Sequence, residues 1–234
     1  NKMIEAETKK ADVTLIQTKT LAGKVYECIK SDIIRGELSQ GSRIVESELA
    51  LKYGISRGPL REAIHRLEQM KLILRVPHAG SRVVTLDIKT MHDIYNAREA
   101  LEGMSARLAA RHMSDEAIVS LKSLLDAHEQ AISESEGKYY LQEEGNIDFH
   151  HRIASASQNQ WILENLNGGL YQLVRMGRYQ SGQQPTRPAI ALAQHRQIAS
   201  AIEQRDEELA ELLMRRHISG AWKIVKKILE LKHD

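Results

Sequence analysis

Hydrophobic positions in the N-terminal third of the chain recur at helical spacing in three short runs and then change period. The three helical runs cover residues 21–36, 46–53 and 56–69. In residues 72–84, two β-branched runs flank a Pro-His-Ala-Gly-Ser turn, a pattern typical of a β-hairpin. Three helices followed by a hairpin predict a winged helix-turn-helix, to which we assign residues 20–86.

The rest of the chain keeps a helical period to its end. It predicts helices at 90–112, 115–136, 138–157, 160–180, 187–204 and 206–231, separated by polar, Gly and Pro breaks. This pattern favours an all-α bundle of about six to seven helices over residues 88–234. Residues 1–19 show no sustained period, and we expect a flexible tail there. The predicted fold class is therefore mainly α.

Composition supports a helical, intracellular protein. Aromatic residues make up only 4% of the chain, so the core must consist mostly of Leu, Ile, Ala and Val, which suits helices better than a β-sandwich. The single cysteine, Cys28, excludes an intramolecular disulfide framework and fits a reducing compartment. No apolar run approaches the roughly 20 residues of a membrane span, and the N-terminus lacks a signal-peptide core. We therefore expect a cytoplasmic location.

The charge distribution is uneven although the net charge is only +2. Residues 20–84 hold eleven Lys and Arg against seven Asp and Glu, a surplus of four positive charges. The remainder of the chain is slightly acidic. A basic N-terminal domain on an acidic body is what phosphate binding requires, although many domains without that function also have it.

The second and third predicted helices carry the residues that point to DNA. The two helices are joined through Gly54, which is the layout of a helix-turn-helix. Ser56 stands where it can cap the second of them. Arg57 and Arg61 lie four residues apart, so they share a face near the start of that helix, where arginine can bind a guanine edge or a phosphate. The alternative is an ordinary solvated face of a small helical domain.

The hairpin tip offers further candidates for DNA contacts. His78, Gly80 and Arg82 could approach the DNA backbone or the minor groove, because glycine removes the side chain that would clash.

One segment resembles the signature of GntR-type regulators. The segment reads Glu-Leu-Ala-x3-Gly-Ile-Ser-Arg-x-Pro-Leu-Arg-Glu-Ala-Ile-x-x-Leu and starts at Glu48. The resemblance implies a winged helix that binds double-stranded DNA as a homodimer at a short inverted repeat. It also implies that Arg57 and Arg61 contact the operator and that Gly80 is the wing glycine. Ser47 departs from the family, which often has a basic residue there for one further contact.

Three histidines in the helical part are candidate metal ligands. His150, His195 and His217 lie on three different predicted helices, and each has apolar neighbours at helical spacing. Imidazoles that converge inside a bundle can bind Zn²⁺, Ni²⁺, Mn²⁺ or a similar ion. Asn146 shares a helical face with His150 and could add an oxygen ligand. In the alternative, each histidine fills a core position and hydrogen-bonds to a neighbour.

Residues 90–231 resemble the helical effector domain, called FCD, of the FadR-like branch of these regulators. The matching segments are I-Y-x2-R-x2-L-E from 94, F-H-x2-I-A-x-A-S-x-N from 149, H-x2-I-x2-A-I from 195 and A-x6-H from 210. The resemblance implies a divalent metal ion held by Asn146, His150, His195 and His217. The family usually has Asp at the position of Asn146. A neutral amide is a weaker cation ligand than a carboxylate and leaves more positive charge at the site.

Two arginines are candidates for binding an acidic effector. Arg98 shares a helical face with apolar residues and should therefore be paired, either by a ligand carboxylate or by a salt bridge to Glu102. Arg175 lies one turn after Tyr171 in an apolar helix and forms a second candidate group. A metal ion with two arginines would suit a hydroxycarboxylate or a polycarboxylate.

A second resemblance, in two short segments, narrows the chemical identity of the expected effector. Residues 54–68 and 170–176 are similar to regulators of the 2-methylcitrate (propionate) pathway. That similarity implies 2-methylcitrate or 2-methylisocitrate as the inducer.

These patterns and resemblances together predict a homodimeric, ligand-responsive transcriptional regulator, more a repressor than an activator, with no catalytic residues. One alternative is a metal-dependent enzyme with a DNA-binding head, because three histidines with an open position could activate water. No acid is evidently placed as its general base. The other is an architectural DNA-binding protein whose bundle only dimerises and binds no small molecule.

Overall fold

The structure is a computed structural model that describes residues 20–134, 145–181 and 187–231, with side chains for 20–134, 148–180 and 188–231. The predicted tail lies outside these residues. The described chain is mainly helical with one two-stranded sheet, which confirms the predicted fold class. It divides into two compact units, Asn1–Thr85 and Leu86–Asp234. No described helix is both long and apolar enough to cross a membrane.

The first unit contains three helices and a hairpin. They are α1 (Leu21–Arg35), α2 (Glu46–Tyr53), α3 (Arg57–Gln69), β1 (Ile73–Val76) and β2 (Gly80–Val83). The side chain of Thr20 caps α1 by accepting a hydrogen bond from the backbone N–H of Gly23 at 3.0 Å. Gly54 ends α2 with φ +63°, a left-handed conformation that favours glycine. The turn between α2 and α3 is therefore set by the local sequence.

The hairpin pairs β1 and β2 antiparallel, with Ile73 opposite Val83 and Val76 opposite Gly80. An isolated bridge between Arg43 and Arg82 adds a third segment beside β2. Buried aliphatic side chains from α1, α3 and the hairpin form the core of this unit, among them Ile29, Ile33, Leu60, Leu67 and Ile73.

The second unit is entirely helical in its described residues. Its helices are α4 (Ile88–His112), α5 (Asp115–Glu134), α6 (Gly145–Ala156), α7 (Gln160–Asn165), α8 (Tyr171–Ser181), α9 (Arg187–Glu203) and α10 (Glu207–Glu230). Aspartates begin two of them, because Asp87 accepts from the backbone N–H of Thr90 and Asp206 from that of Leu209. The long helices α4 and α10 pack along each other.

The prediction of one continuous helix over residues 160–180 is wrong. The chain is kinked at Gly168 and Gly169, which have non-helical backbone angles, with φ +124° at Gly169. Two adjacent glycines lack the side chains that favour helix, and a left-handed φ costs glycine little. A new helix therefore starts at Tyr171, and the kink sets the direction of α8. Of the predicted helix 138–157, residues 138–144 lie outside the described chain.

Candidate functional site

The third helix of the first unit exposes both predicted DNA-reading arginines. Arg57 is the first residue of α3, and Arg61 lies one turn later; both side chains are exposed. Ser56 occupies the N-cap position, but its hydroxyl makes no capping hydrogen bond, so the predicted side-chain cap is wrong. The exposed start of a helix carries partial positive charge from its unpaired N–H groups. Two arginines there give this end of α3 a cationic surface.

Arg61 forms an ion pair that the sequence analysis did not predict. The Nε of Arg61 lies 2.8 Å from Oε2 of Glu46, the first residue of α2. Both side chains are partly exposed. Arg61 and Glu46 border a cleft between α3 and the hairpin, whose other cationic side chains include Arg43 and Arg75. No local spacing could predict the pair, because its members lie fifteen residues apart on different helices.

The predicted wing residues have distinct conformations. His78 and Gly80 have left-handed backbones, with φ +61° and +81°, and both are exposed at the hairpin tip. A side chain at Gly80 would approach the guanidinium of Arg43, whose Nε lies 3.8 Å from an ideal Cβ. Arg82 donates from Nη1 to the carbonyl oxygen of Gly41 at 2.9 Å. Its guanidinium therefore contacts the base of the hairpin.

In the second unit, the three candidate histidines converge. One ring nitrogen from each of His150, His195 and His217 lies within 4.8 Å of the others, and all three residues are buried. The Nε2 atoms of His195 and His217 are 3.2 Å apart. Two nitrogens bound to one tetrahedral Zn²⁺ are separated by about 3.3 Å. The described side chains thus place two donors at the spacing that a shared metal ion requires.

Neighbouring side chains orient the three imidazoles. Nδ1 of His150 lies 2.5 Å from Oε2 of Glu102, and Nδ1 of His217 lies 2.8 Å from Oε1 of Gln194. The ring of His195 stacks on Phe149 with centroids 4.0 Å apart. Nε2 of His150 is buried and has no hydrogen-bond partner among the described residues. The Nε2 atoms of His195 and His217 therefore face each other, and Nδ1 of His150 faces Glu102.

Burial favours the neutral, metal-binding form of two of the three imidazoles. Burial lowers the pKa of His195 well below its usual range, and the nearby His217 and His150 lower it further. Burial also lowers the pKa of His150, against the opposing effect of the Glu102 carboxylate. Neutral imidazoles are the metal-binding form, so no proton has to be displaced from these two rings at neutral pH.

Arg98 forms a salt bridge with Glu102, which is one of the two partners that the sequence allowed. Its Nε donates to Oε1 of Glu102 at 2.6 Å, and both side chains are fully buried. Burial would raise the pKa of Glu102, but Arg98 and His150 hold it at about 2, so the carboxylate is ionised. Nη1 of Arg98 has no hydrogen-bond partner among the described residues. The salt bridge therefore leaves Arg98 a donor for a ligand.

The predicted effector residues on α8 lie on one face of that helix. Tyr171 is buried and its hydroxyl has no hydrogen-bond partner within the described chain, whereas Arg175 is half-buried. Burial raises the pKa of Tyr171 well above its usual range. The negative charge of Glu102 raises this pKa further, whereas the positive charge of Arg98 lowers it. Arg178, three residues beyond Arg175, is buried and contributes positive charge near His150. The sequence interpretation missed Arg178, although its helical spacing from Tyr171 could have indicated it.

Asn146, the fourth predicted ligand, lies in α6 four residues before His150. The side chain of Asn146 is not among those that the structure describes.

Comparison with known proteins identifies both parts of the chain. The family model described as "Bacterial regulatory proteins, gntR family" matches residues 21–83, and the "FCD domain" model matches residues 93–220. The chain is 26% identical over 226 residues to the HTH-type transcriptional repressor RspR of Escherichia coli K12, covering 95% of this chain and 96% of that protein. It is 28% identical over 201 residues to a probable D-xylose utilization operon transcriptional repressor of Paenarthrobacter nicotinovorans, covering 86% and 87%.

A solved structure shares the fold. E. coli McbR/YncC superposes with a TM-score of 0.73 at 21% identity, covering 89% of this chain and 98% of that one. The related sequences are transcriptional regulators, which excludes the enzyme alternative. The chain therefore belongs to the GntR family of bacterial regulatory proteins, carries an FCD domain, and is a DNA-binding transcriptional regulator.

Proposed function

We propose that this regulator is a homodimeric repressor whose affinity for an inverted-repeat operator is controlled by a small carboxylate that binds beside a divalent metal ion in the helical domain. Residues 20–86 read DNA and residues 88–234 sense the effector. The observation that carries the proposal is the buried cluster of three histidines in which Nε2 of His150 has no hydrogen-bond partner among the described residues.

A purely structural role accounts for only part of that cluster. His195 and His217 could hydrogen-bond to each other across 3.2 Å. Nε2 of His150 gains nothing from that arrangement, and an unsatisfied buried polar atom costs about 1–3 kcal/mol. One metal ion would satisfy all three rings at once. The three histidines are therefore better explained as ligands of Zn²⁺, Ni²⁺ or Mn²⁺ than as purely structural core residues.

The charge of the site favours an anionic effector. A bound divalent ion would supply an open coordination position for a carboxylate oxygen. Three neutral imidazoles and the amide of Asn146 leave the ion's two positive charges unneutralised. The buried Nη1 of Arg98 and the hydroxyl of Tyr171 are donors for a second acidic group, and Arg175 adds a further cation. Hydroxycarboxylates and polycarboxylates, with 2-methylcitrate or 2-methylisocitrate as first candidates, match this arrangement.

On the DNA side, Arg57 and Arg61 at the start of α3 read base edges or hold phosphates. The exposed hydroxyl of Ser56 donates to a phosphate, since it makes no capping bond. His78 and Gly80 approach the DNA backbone or minor groove, and Arg82 supports the hairpin from its base. The effector weakens operator binding only because it binds the DNA-incompetent form of the dimer more tightly.

The decisive experiment measures what the purified native protein contains. Elemental analysis and native mass spectrometry should find close to one divalent ion per chain, which is lost in the His150→Ala/His195→Ala variant. A matched variant, His151→Ala, changes an exposed neighbouring histidine and should retain the ion. Absence of any ion, even after incubation with Zn²⁺, Ni²⁺ or Mn²⁺, would contradict the metal site. Operator binding that does not respond to any carboxylate would contradict the sensor function.

A further inference from the structure

A continuous series of buried polar contacts leads from Arg98 through Glu102 to the metal-site histidine His150. Nε of Arg98 lies 2.6 Å from one carboxylate oxygen of Glu102, and Nδ1 of His150 lies 2.5 Å from the other. The three side chains are at most 2% exposed. Buried charges of this kind are tolerated only when each has a close partner of opposite charge.

The contact with Glu102 determines which nitrogen of His150 is available to bind a metal ion. The carboxylate that is salt-bridged to Arg98 offers only acceptor oxygens, so the hydrogen of the neutral His150 ring belongs on Nδ1, the nitrogen that faces it. In the neutral ring, Nε2 then holds the lone pair that a metal ion needs. Neither ring nitrogen makes a hydrogen bond of regular geometry among the described residues, but it is Nδ1 that has the carboxylate of Glu102 at 2.5 Å.

Glu102 itself is not a candidate ligand. Among the described residues, the potential metal-binding atoms that lie close together belong to His150, His195 and His217. No oxygen of Glu102 belongs to this group. Its oxygens instead lie 2.6 Å from Nε of Arg98 and 2.5 Å from Nδ1 of His150. The carboxylate therefore acts on the centre only through the imidazole.

We propose that Glu102 is a positioning residue of the metal site, which fixes the Nδ1-protonated tautomer and the ring orientation of His150 while Arg98 holds the carboxylate in place. The inference rests on the proposed metal function. It assigns this chain a negative charge one imidazole away from the ion, at a site where Asn146 provides none. Loss of such an outer partner typically weakens metal binding 10- to 100-fold.

The test compares the full-length protein with Glu102→Gln, after removal of metal by a chelator. Nitrogen-15 NMR of labelled histidines reports the tautomer of each ring, and titration with Co²⁺ reports affinity and the visible absorption of the bound ion. The unchanged protein should show Nδ1–H at His150. Glu102→Gln should show a mixture of tautomers, at least tenfold weaker Co²⁺ binding and an altered Co²⁺ spectrum.

The matched control is Glu99→Gln, the same chemical change on the same helix at a partly exposed residue. It should leave the tautomer and the Co²⁺ affinity unchanged. If Glu102→Gln does not fold, the pair Arg98→Met/Glu102→Gln removes both charges together and leaves no isolated buried ion. This pair should show the same loss of Co²⁺ affinity.

The outcomes separate this inference from the proposed function. If the unchanged protein binds no Co²⁺, both the metal site and the role of Glu102 are overturned. If the unchanged protein binds Co²⁺ and Glu102→Gln binds it equally well with Nδ1–H retained, only the role of Glu102 is overturned.

Discussion

The ion pair between Arg61 and Glu46 in the winged helix and the ion pair between Arg98 and Glu102 in the helical domain have the same chemistry in opposite surroundings. The first is solvent-exposed, with an N–O distance of 2.8 Å, and the second is fully buried at 2.6 Å. Exposed pairs contribute about 0–1 kcal/mol to stability, because water solvates each charge nearly as well as its partner does. Breaking a buried pair leaves an unsolvated charge, which is strongly destabilising.

Because of this difference, substitutions at the functional residues should affect stability little in the DNA-binding domain and strongly in the helical domain. At the DNA-reading surface, side chains can be changed with little effect on folding, so binding defects can be measured in folded variants. In the helical domain, the residues that form the candidate metal and effector site also belong to the core. There, a loss of function must always be compared with a loss of stability.

The largest expected effect is that of Glu102→Ala. It leaves Arg98 buried without its carboxylate and should lower the free energy of unfolding of the metal-free protein by about 3–5 kcal/mol. Urea denaturation followed by circular dichroism measures this loss, with Glu99→Ala as the control. A loss below about 1 kcal/mol would mean that the buried pair behaves like an exposed one.

The next effect is stabilisation by the metal ion. Zn²⁺ at a hundred times its dissociation constant should raise the free energy of unfolding by about 2.7 kcal/mol, because the ion binds the folded chain preferentially. Thermal melts with Zn²⁺ and with a chelator measure the difference. His217→Ala should abolish the response, whereas His92→Ala, at an exposed histidine of α4, should retain it. Equal responses in the two variants would place the ion elsewhere.

Substitution of the DNA-reading arginines should have a smaller effect, confined to binding. Arg57→Ala and Arg61→Ala should each weaken operator binding by about 1–3 kcal/mol while the melting temperature stays unchanged, because both side chains are exposed. Fluorescence anisotropy with labelled operator measures the affinity. Arg35→Ala removes an exposed arginine from the last turn of α1 and serves as the control. An equal loss in all three variants would indicate only a general effect of net charge.

The smallest effect is expected for Glu46→Gln. It removes a negative charge beside Arg61 and should strengthen binding to non-specific DNA, since phosphates no longer compete with a carboxylate for the guanidinium. The change in stability should stay within about 1 kcal/mol. Glu48→Gln, on an exposed position of the same helix, provides the comparison. Weaker DNA binding by Glu46→Gln would show that Glu46 orients Arg61 for DNA instead of competing with it.

The sequence by itself determined the features that depend on local spacing. The order of helices and hairpin followed from hydrophobic period and from glycine positions such as Gly54. The common face of Arg57 and Arg61 follows from helix geometry, and the apolar neighbours of the three histidines indicated that they would be buried. Each of these properties depends on residues within a turn or two of one another, so a single sequence contains the required information.

The tertiary structure alone decided which distant side chains meet. Glu46 reaches Arg61, Glu102 reaches His150, and Gln194 orients His217, and each pair joins two different helices. The kink at Gly168 and Gly169 differs from these contacts, because two adjacent glycines disfavour a helix and the sequence analysis overlooked that local signal. Packing between helices sets such contacts, and no periodicity within one helix specifies its partner. The histidines of the candidate metal site could be named from the sequence, but the carboxylate that lies against one of them could be found only in the fold.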